Sequence, residues 1–337
     1  MQKLILGYVT NKALPGFTAE DGQKLTHINL AFGVIRDGLL CMHGLSNIGE
    51  LSRIRSDNPN LKVVLSVGGW GAGGFSNMAK TVKGRIAFAG SCARVVDRYH
   101  LDGIDIDWEY PCIDAAEIDA DPADKETFTL LLQSLRDALG SERIVSIAAG
   151  AGPYFCENTQ IDQVSQICDY VQLMTYDIRS GFCKEAGHHT CLYTAQGDRF
   201  NGSAQSTVED FFCHGVPKER MILGAAFYAR RWEGVPDVNH GLHQPAKTVG
   251  MGGPHYRELV DRFINRFTRY WDEQAQAPWL FDGSTLISYD DPQSLRAKCA
   301  YIKRENLLGI MYWEHGCDPT RELLGVLAEE LGVNCGR

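Results

Sequence analysis

The chain has 337 residues, 44% hydrophobic and 22% charged, with a formal net charge of -9. This excludes a disordered chain and leaves room for one large domain, or a barrel with an insertion. No Lys/Arg-rich run appears, which argues against nucleic acid, and no apolar run is long enough to span a membrane.

Read in order, the chain alternates short apolar runs with helical spacing. Residues 3–9 and 25–33 read as buried strands, 45–56 as a helix and 61–69 as a third strand. Residues 78–99 have the spacing of one long amphipathic helix, with Ile86, Phe88, Ala89, Ala93, Val95 and Val96 on its apolar side. An acidic fourth strand follows near 101–109. Then come a helix at 125–139, a strand at 144–150, a short helix at 161–167 and a strand at 170–177. A helix at 206–214, a strand at 221–228, a helix at 292–305, a strand at 307–314 and a helix at 320–331 complete the series. Eight strands spread over the whole length, most followed by a helix, predict a closed (β/α)8 barrel. The strands are continuous apolar runs, as parallel strands covered on both faces should be. An open doubly wound sheet is the alternative, but no Gly-rich phosphate loop follows an early strand. The stretch 233–286 is too long for one crossover. It reads as a small α+β insertion with a helix at 256–271, so the barrel takes 1–232 and 287–337.

The eleven cysteines are scattered and odd in number, with no Cys-x-x-Cys pair, so they are not a disulfide framework. Mostly free thiols are expected, although Cys183 and Cys191 are close enough in sequence to pair. Residues 1–7 are too short for a signal peptide and run straight into a strand. Cys183, His188, His189 and Cys191 lie within nine residues, but their spacing fits no common zinc site, and no metal is expected.

The informative stretch is Leu101-Asp-Gly-Ile-Asp-Ile-Asp-Trp-Glu-Tyr-Pro111. Asp105, Asp107 and Glu109 share one face of a strand, while Ile104, Ile106 and Trp108 take the other. Same-face neighbours are about 6.6 Å apart, where two full charges repel by about 2.5 kcal/mol at an effective dielectric near 20. Some of the row should therefore share protons, with at least one pKa raised. A solvated acidic edge or an oxygen-ligand metal patch is the bland reading. Gly103, the isoleucines and Trp108 ask for burial, however, and a metal loop needs turn residues between its ligands. A buried row that shares protons is acid/base equipment for bond cleavage. Polar and aromatic residues also gather at the ends of the other strands, as Ser66-Val-Gly-Gly-Trp70, Met174-Thr-Tyr-Asp177, Phe227-Tyr-Ala-Arg230 and Tyr312-Trp-Glu314. In such barrels that end carries the active site.

The acidic stretch resembles the signature of family 18 glycoside hydrolases, the chitinases. Ser66-Val-Gly-Gly69, Met174-Thr-Tyr-Asp177 and Ser288-Tyr-Asp-Asp-Pro292 are also similar to the family's motifs, and the resemblance covers essentially the whole chain. Ala229 departs from the glycine usual there. The resemblance implies retaining, substrate-assisted hydrolysis of β-1,4-linked N-acetylglucosamine, an exception to the two-carboxylate scheme. Glu109 is then the general acid, Asp107 holds the acetamide, Tyr176 donates to the acetamide oxygen, and Asp105 shares a proton with Asp107. Asp102, Tyr8 and Ser66 are expected as a buried polar network behind the row. Phe32, Trp70, Tyr110, Met174, Asp177, Tyr228, Arg230 and Trp313 are expected to bind sugar, with Trp313 as the floor. The resemblance further implies a monomer that acts on chitin or chito-oligosaccharides without a cofactor. Chitin places the reaction outside the cell, whereas the thiols and the missing leader point inside. A lectin on the same fold and an endo-β-N-acetylglucosaminidase acting on N-glycans are the competing readings. The intact Glu109, Asp107 and Tyr176 favour the hydrolase.

Overall fold

A computed structural model describes residues 2–332. Its strands are β1 (Leu4–Thr10), β2 (His27–Arg36), β3 (Leu39–Cys41), β4 (Lys62–Gly68), β5 (Gly103–Asp107), β6 (Ile144–Gly150) and β7 (Tyr170–Met174). They continue as β8 (Met221–Ala226), β9 (Arg230–Glu233), β10 (Thr268–Asp272), β11 (Ala277–Phe281), β12 (Thr285–Ser288) and β13 (Gly309–Trp313). β1, β2, β4, β5, β6, β7, β8 and β13 pair in parallel in that order, and β13 pairs back onto β1. The result is a closed (β/α)8 barrel, and β3 forms a hairpin with the long end of β2.

The strands alternate between two environments. Ile5, Val9, Ile104 and Ile106 join the large apolar core beneath the helices. Leu6, Tyr8, Ala148, Met174, Ile222 and Met311 form a smaller cluster in the bore. A barrel this size is filled by side chains rather than open.

Between β8 and the helix Pro292–Glu305 lies a second, antiparallel sheet in the order β10-β11-β12-β9. Trp232, Trp279, Phe281 and Leu286 build its own core. The sheet begins at Arg230 and ends at Ser288, so the expected limits 233 and 286 fall inside β9 and β12, its first and last strands in sequence.

Several local expectations change. The helix expected at 78–99 is two helices, Phe75–Ala79 and Val82–Tyr99, because the Thr81 side chain caps the second by accepting from the Gly84 N–H. The helix expected at 256–271 ends at Arg262. Thr268–Asp272 instead pairs with Ala277–Phe281, as its β-branched and aromatic residues favour. Residues 45–56 form only a 3-10 turn, Ile48–Glu50, and the helix Leu51–Asp57. Strands β7 and β8 stop three and two residues short of 177 and 228, where the chain bends into the site loops. Cys183 and Cys191 are unpaired, as are the other cysteines among the described residues, and Cys335 lies outside those residues. Among the described residues no helix is long and apolar enough to cross a membrane.

Candidate active site

The site grows out of the side-chain parity of β5. Asp105 and Asp107 point into the bore, and Trp108 stays on the apolar side. Ser66, Asp105 and Ser146 are register partners on β4, β5 and β6. Both hydroxyls therefore reach the same carboxylate, at 2.7 and 2.8 Å. The Tyr8 hydroxyl adds a third hydrogen bond at 2.9 Å and the Gln172 amide a fourth at 2.8 Å. Asp105 thus accepts four hydrogen bonds with no exposure to solvent.

Asp107 lies one step up the strand, buried, and its Oδ1 has no hydrogen-bond partner. Burial pushes its pKa well above the carboxylate range, and the charges of Glu109 and Asp105 push it further. Burial also raises Glu109, to about 7; the Tyr110 hydroxyl opposes the shift and Asp177 adds to it. Tyr176 is driven up by burial and then by Asp107 and Glu109, so its hydroxyl keeps its proton and can donate.

These groups open into a cavity of about 790 Å³, within the range of small-ligand sites. Phe32, Trp70, Asp107, Glu109, Tyr110, Met174, Tyr176, Asp177, Tyr228, Arg230 and Trp313 all line it. Trp313 stacks on Phe32 with ring centroids 5.4 Å apart and leans on Tyr8 at 5.5 Å. Trp70 and Phe182 are exposed, both line the cavity, and their ring centroids lie 5.9 Å apart. Arg230 grips both oxygens of Asp177 at 2.5 and 2.6 Å, and His189 Nδ1 lies 3.6 Å from the same carboxylate. Ala229 is accommodated, with its N–H donating to the carbonyl of Pro254 at 2.9 Å. The Gly-Gly pair after Ser66 has a steric cause. Both residues have positive φ, and a Cβ on Gly68 would sit 2.0 Å from the carbonyl oxygen of Asp107.

Asp102 does not join the network behind the row. It precedes β5 at the far end of the barrel, where it pairs with Arg55 at 2.9 Å and Lys62 at 3.1 Å and accepts from the Val63 N–H. Its parity is opposite to that of Asp105, so it cannot share that face. His188 and His189 go to different carboxylates, Asp272 and Asp177, and among the described residues no three potential ligands come together. Ser146, Gln172, Tyr154 and Phe182 belong to the site or its support but escaped the sequence reading. The available signal for Ser146 and Gln172 was a polar residue inside an otherwise apolar strand.

The profile of Glycosyl hydrolases family 18 matches residues 4–318. The chain belongs to glycosyl hydrolase family 18. It is 34% identical over 313 residues to chitinase A1 of Niallia circulans, covering 85% of this chain and 44% of that protein. It is 30% identical over 319 residues to chitotriosidase-1 of Mus musculus, covering 87% of this chain and 67% of that protein. Among solved structures, a family 18 N-acetylglucosaminidase from Paenibacillus barengoltzii superposes with a TM-score of 0.95 at 49% identity, covering 97% of this chain and 99% of that one. The chain spans less than half the length of the Niallia circulans enzyme.

Proposed function

We propose that the chain cleaves β-1,4 bonds between N-acetylglucosamine units of chitin and chito-oligosaccharides by retaining, substrate-assisted hydrolysis. The observation that carries this reading is the row Asp105, Asp107 and Glu109, with raised pKa values, rising into a cleft beside Trp313.

Glu109, protonated near neutral pH, gives its proton to the glycosidic oxygen. The acetamide carbonyl oxygen of the sugar on Trp313 attacks its own anomeric carbon, and an oxazolinium ion forms as the leaving sugar departs. The free Oδ1 of Asp107 accepts the acetamide N–H, and its negative charge stabilises the cation. For that, Asp107 shares its proton with Glu109 once Glu109 has given up its own, while Asp105 stays ionised. Tyr176 donates to the acetamide oxygen. Glu109, now ionised, takes a proton from water, which opens the oxazolinium ion with net retention. The flat face of Trp313 suits the apolar face of a sugar ring. The retained acid, Asp107 and Tyr176 also weigh against a lectin role.

Glu109→Gln should keep chito-oligosaccharide binding and lose nearly all turnover. Asp107→Asn should cost about 10²-fold or more in kcat, the scale of losing an electrostatic stabiliser of the transition state. Substantial activity in either variant, measured on an N,N'-diacetylchitobioside with a chromogenic leaving group, would reject its assigned role.

A second reading, stepwise release of single N-acetylglucosamine units from a chain end, is favoured by the likeness to the Paenibacillus barengoltzii N-acetylglucosaminidase. The Trp70–Phe182 contact, which narrows the cleft on one side, also favours it. The earliest products from a chitin pentamer separate the two. Monomer with tetramer means release from the end, and dimer with trimer means internal cleavage.

A further inference from the structure

We infer that Gln172 and Asn29 are positioning residues for this reaction: their amides form a one-way donor chain across the bore that ends on Asp105 and fixes its negative charge beneath Asp107. The inference rests on the hydrolytic reading above.

Asn29 Nδ2 donates to Gln172 Oε1 at 2.7 Å, and Gln172 Nε2 donates to Asp105 Oδ1 at 2.8 Å. Both side chains are fully buried, on β2 and β7, and meet inside the barrel although 143 residues apart in sequence. Leucine or methionine would fill this space without the cost of burying two amides. What the amides supply is direction. The other three partners of Asp105 are the hydroxyls of Ser66, Ser146 and Tyr8. A hydroxyl can turn and accept from a neutral carboxyl, but an amide NH2 can only donate. Asn29 occupies the Gln172 oxygen, so the Gln172 amide can flip only if Asn29, whose own Oδ1 has no partner, flips with it. In this orientation Gln172 keeps a proton off Oδ1 of Asp105 and binds the ionised carboxylate more strongly than the carbonyl oxygen of the neutral group.

The consequence is where the proton of the row resides. With the charge fixed on Asp105, the proton is held on the carboxyls above it, next to the bond to be cut. The titratable groups facing Asp105 are Tyr8 from β1, Asp107 on β5, Cys168 ahead of β7, Tyr170 on β7 and Tyr176 beyond it. These are phenols, a thiol and a carboxyl, and none brings a positive charge to do the same work.

The test is Gln172→Met, which keeps length and removes the donor. Losing a donor destabilises the ionised row, so the row takes up a proton at higher pH. The acid limb of the kcat/KM profile should rise by about one pH unit, a tenfold change in proton affinity, while a purely structural role would lower activity equally at all pH values. The carboxyl stretching band followed by infrared titration should move in the same direction, and that readout needs no turnover. Asn29→Ala, one bond further away, should move both in the same direction by less. An unmoved acid limb and carboxyl titration in folded Gln172→Met overturn the inference. Should that variant not fold, Asn29→Ala decides by the same two measurements. If the unmodified protein fails to turn over chito-oligosaccharides, the functional reading fails, and the infrared titration still decides the role of the amides.

Discussion

Glu109 is only partly buried, yet the burial it has makes its ionisation costly. Its pKa of about 7 has two consequences. A general acid must carry its proton, so kcat/KM should fall as pH rises through about 7, and a profile flat to pH 9 would assign the acid elsewhere. The second concerns stability. In the unfolded chain Glu109 ionises near 4.5, so below that pH it imposes no penalty, and above about 7 the folded state bears the cost of a poorly solvated charge. Glu109→Gln removes that cost. The variant should be more stable than the parent at pH 8, by up to about 3 kcal/mol, and nearly equal to it at pH 4. Urea unfolding at the two pH values checks this; equal differences at both would mean the acid is not strained by its surroundings. Catalysis and stability then pull in opposite directions at a single side chain.

β5 is the element that turns a local pattern into a site. Its inward face carries the acids, and its outward face ends in Trp108, stacked on Phe75 at 5.2 Å and edge-on to Phe128 at 5.7 Å. Trp108 therefore anchors the backbone between Asp107 and Glu109 to the helices Phe75–Ala79 and Asp124–Leu139. Trp108→Ala should cost about 3–5 kcal/mol by calorimetry or denaturant titration, and activity should fall further than stability alone explains, because the acid loses its anchor. The parity of this strand was legible in the sequence, and so were the barrel count and the aromatic and polar residues at the strand ends, because these follow from short periods. The partners of Asp105 were not. Ser146 and Gln172 reach it through the lateral register of β6 and the curvature of the bore, and spacing within one strand carries no trace of either. Asp102 lies outside the network for the opposite reason. Its nearness in sequence hid a wrong parity and a position at the other end of the barrel. Residues 268–271 carry helical spacing in the sequence yet pair with β11 in the fold, because an amphipathic run that short fits either period.

At the scale of the whole molecule, the site depends on a joint outside the carboxylate row. Lys298, on the helix Pro292–Glu305, is fully buried and donates to Asp290 and Thr190, both at 2.6 Å. Asp290 also accepts from the Ala226 N–H at the end of β8 and from Ser294. One ion pair thus ties together the last crossover helix, the end of β8 and the loop after β7. That loop carries His189 beside Asp177, and Asp177 in turn holds Arg230 at the cleft. Lys298→Met would leave the Asp290 carboxylate buried without its counter-charge, a loss of about 3–5 kcal/mol. Pairing it with Asp290→Asn removes the stranded charge, so the double variant should be more stable than Lys298→Met alone. A double-mutant cycle in urea would show this as strong coupling. If the pair acts as a joint, the double variant should also regain fold without regaining full activity, because Thr190 and the β7 loop lose the ammonium that fixed them. Additive effects of the two substitutions would instead mean that the loop is held by its own packing and that the ion pair merely fills space.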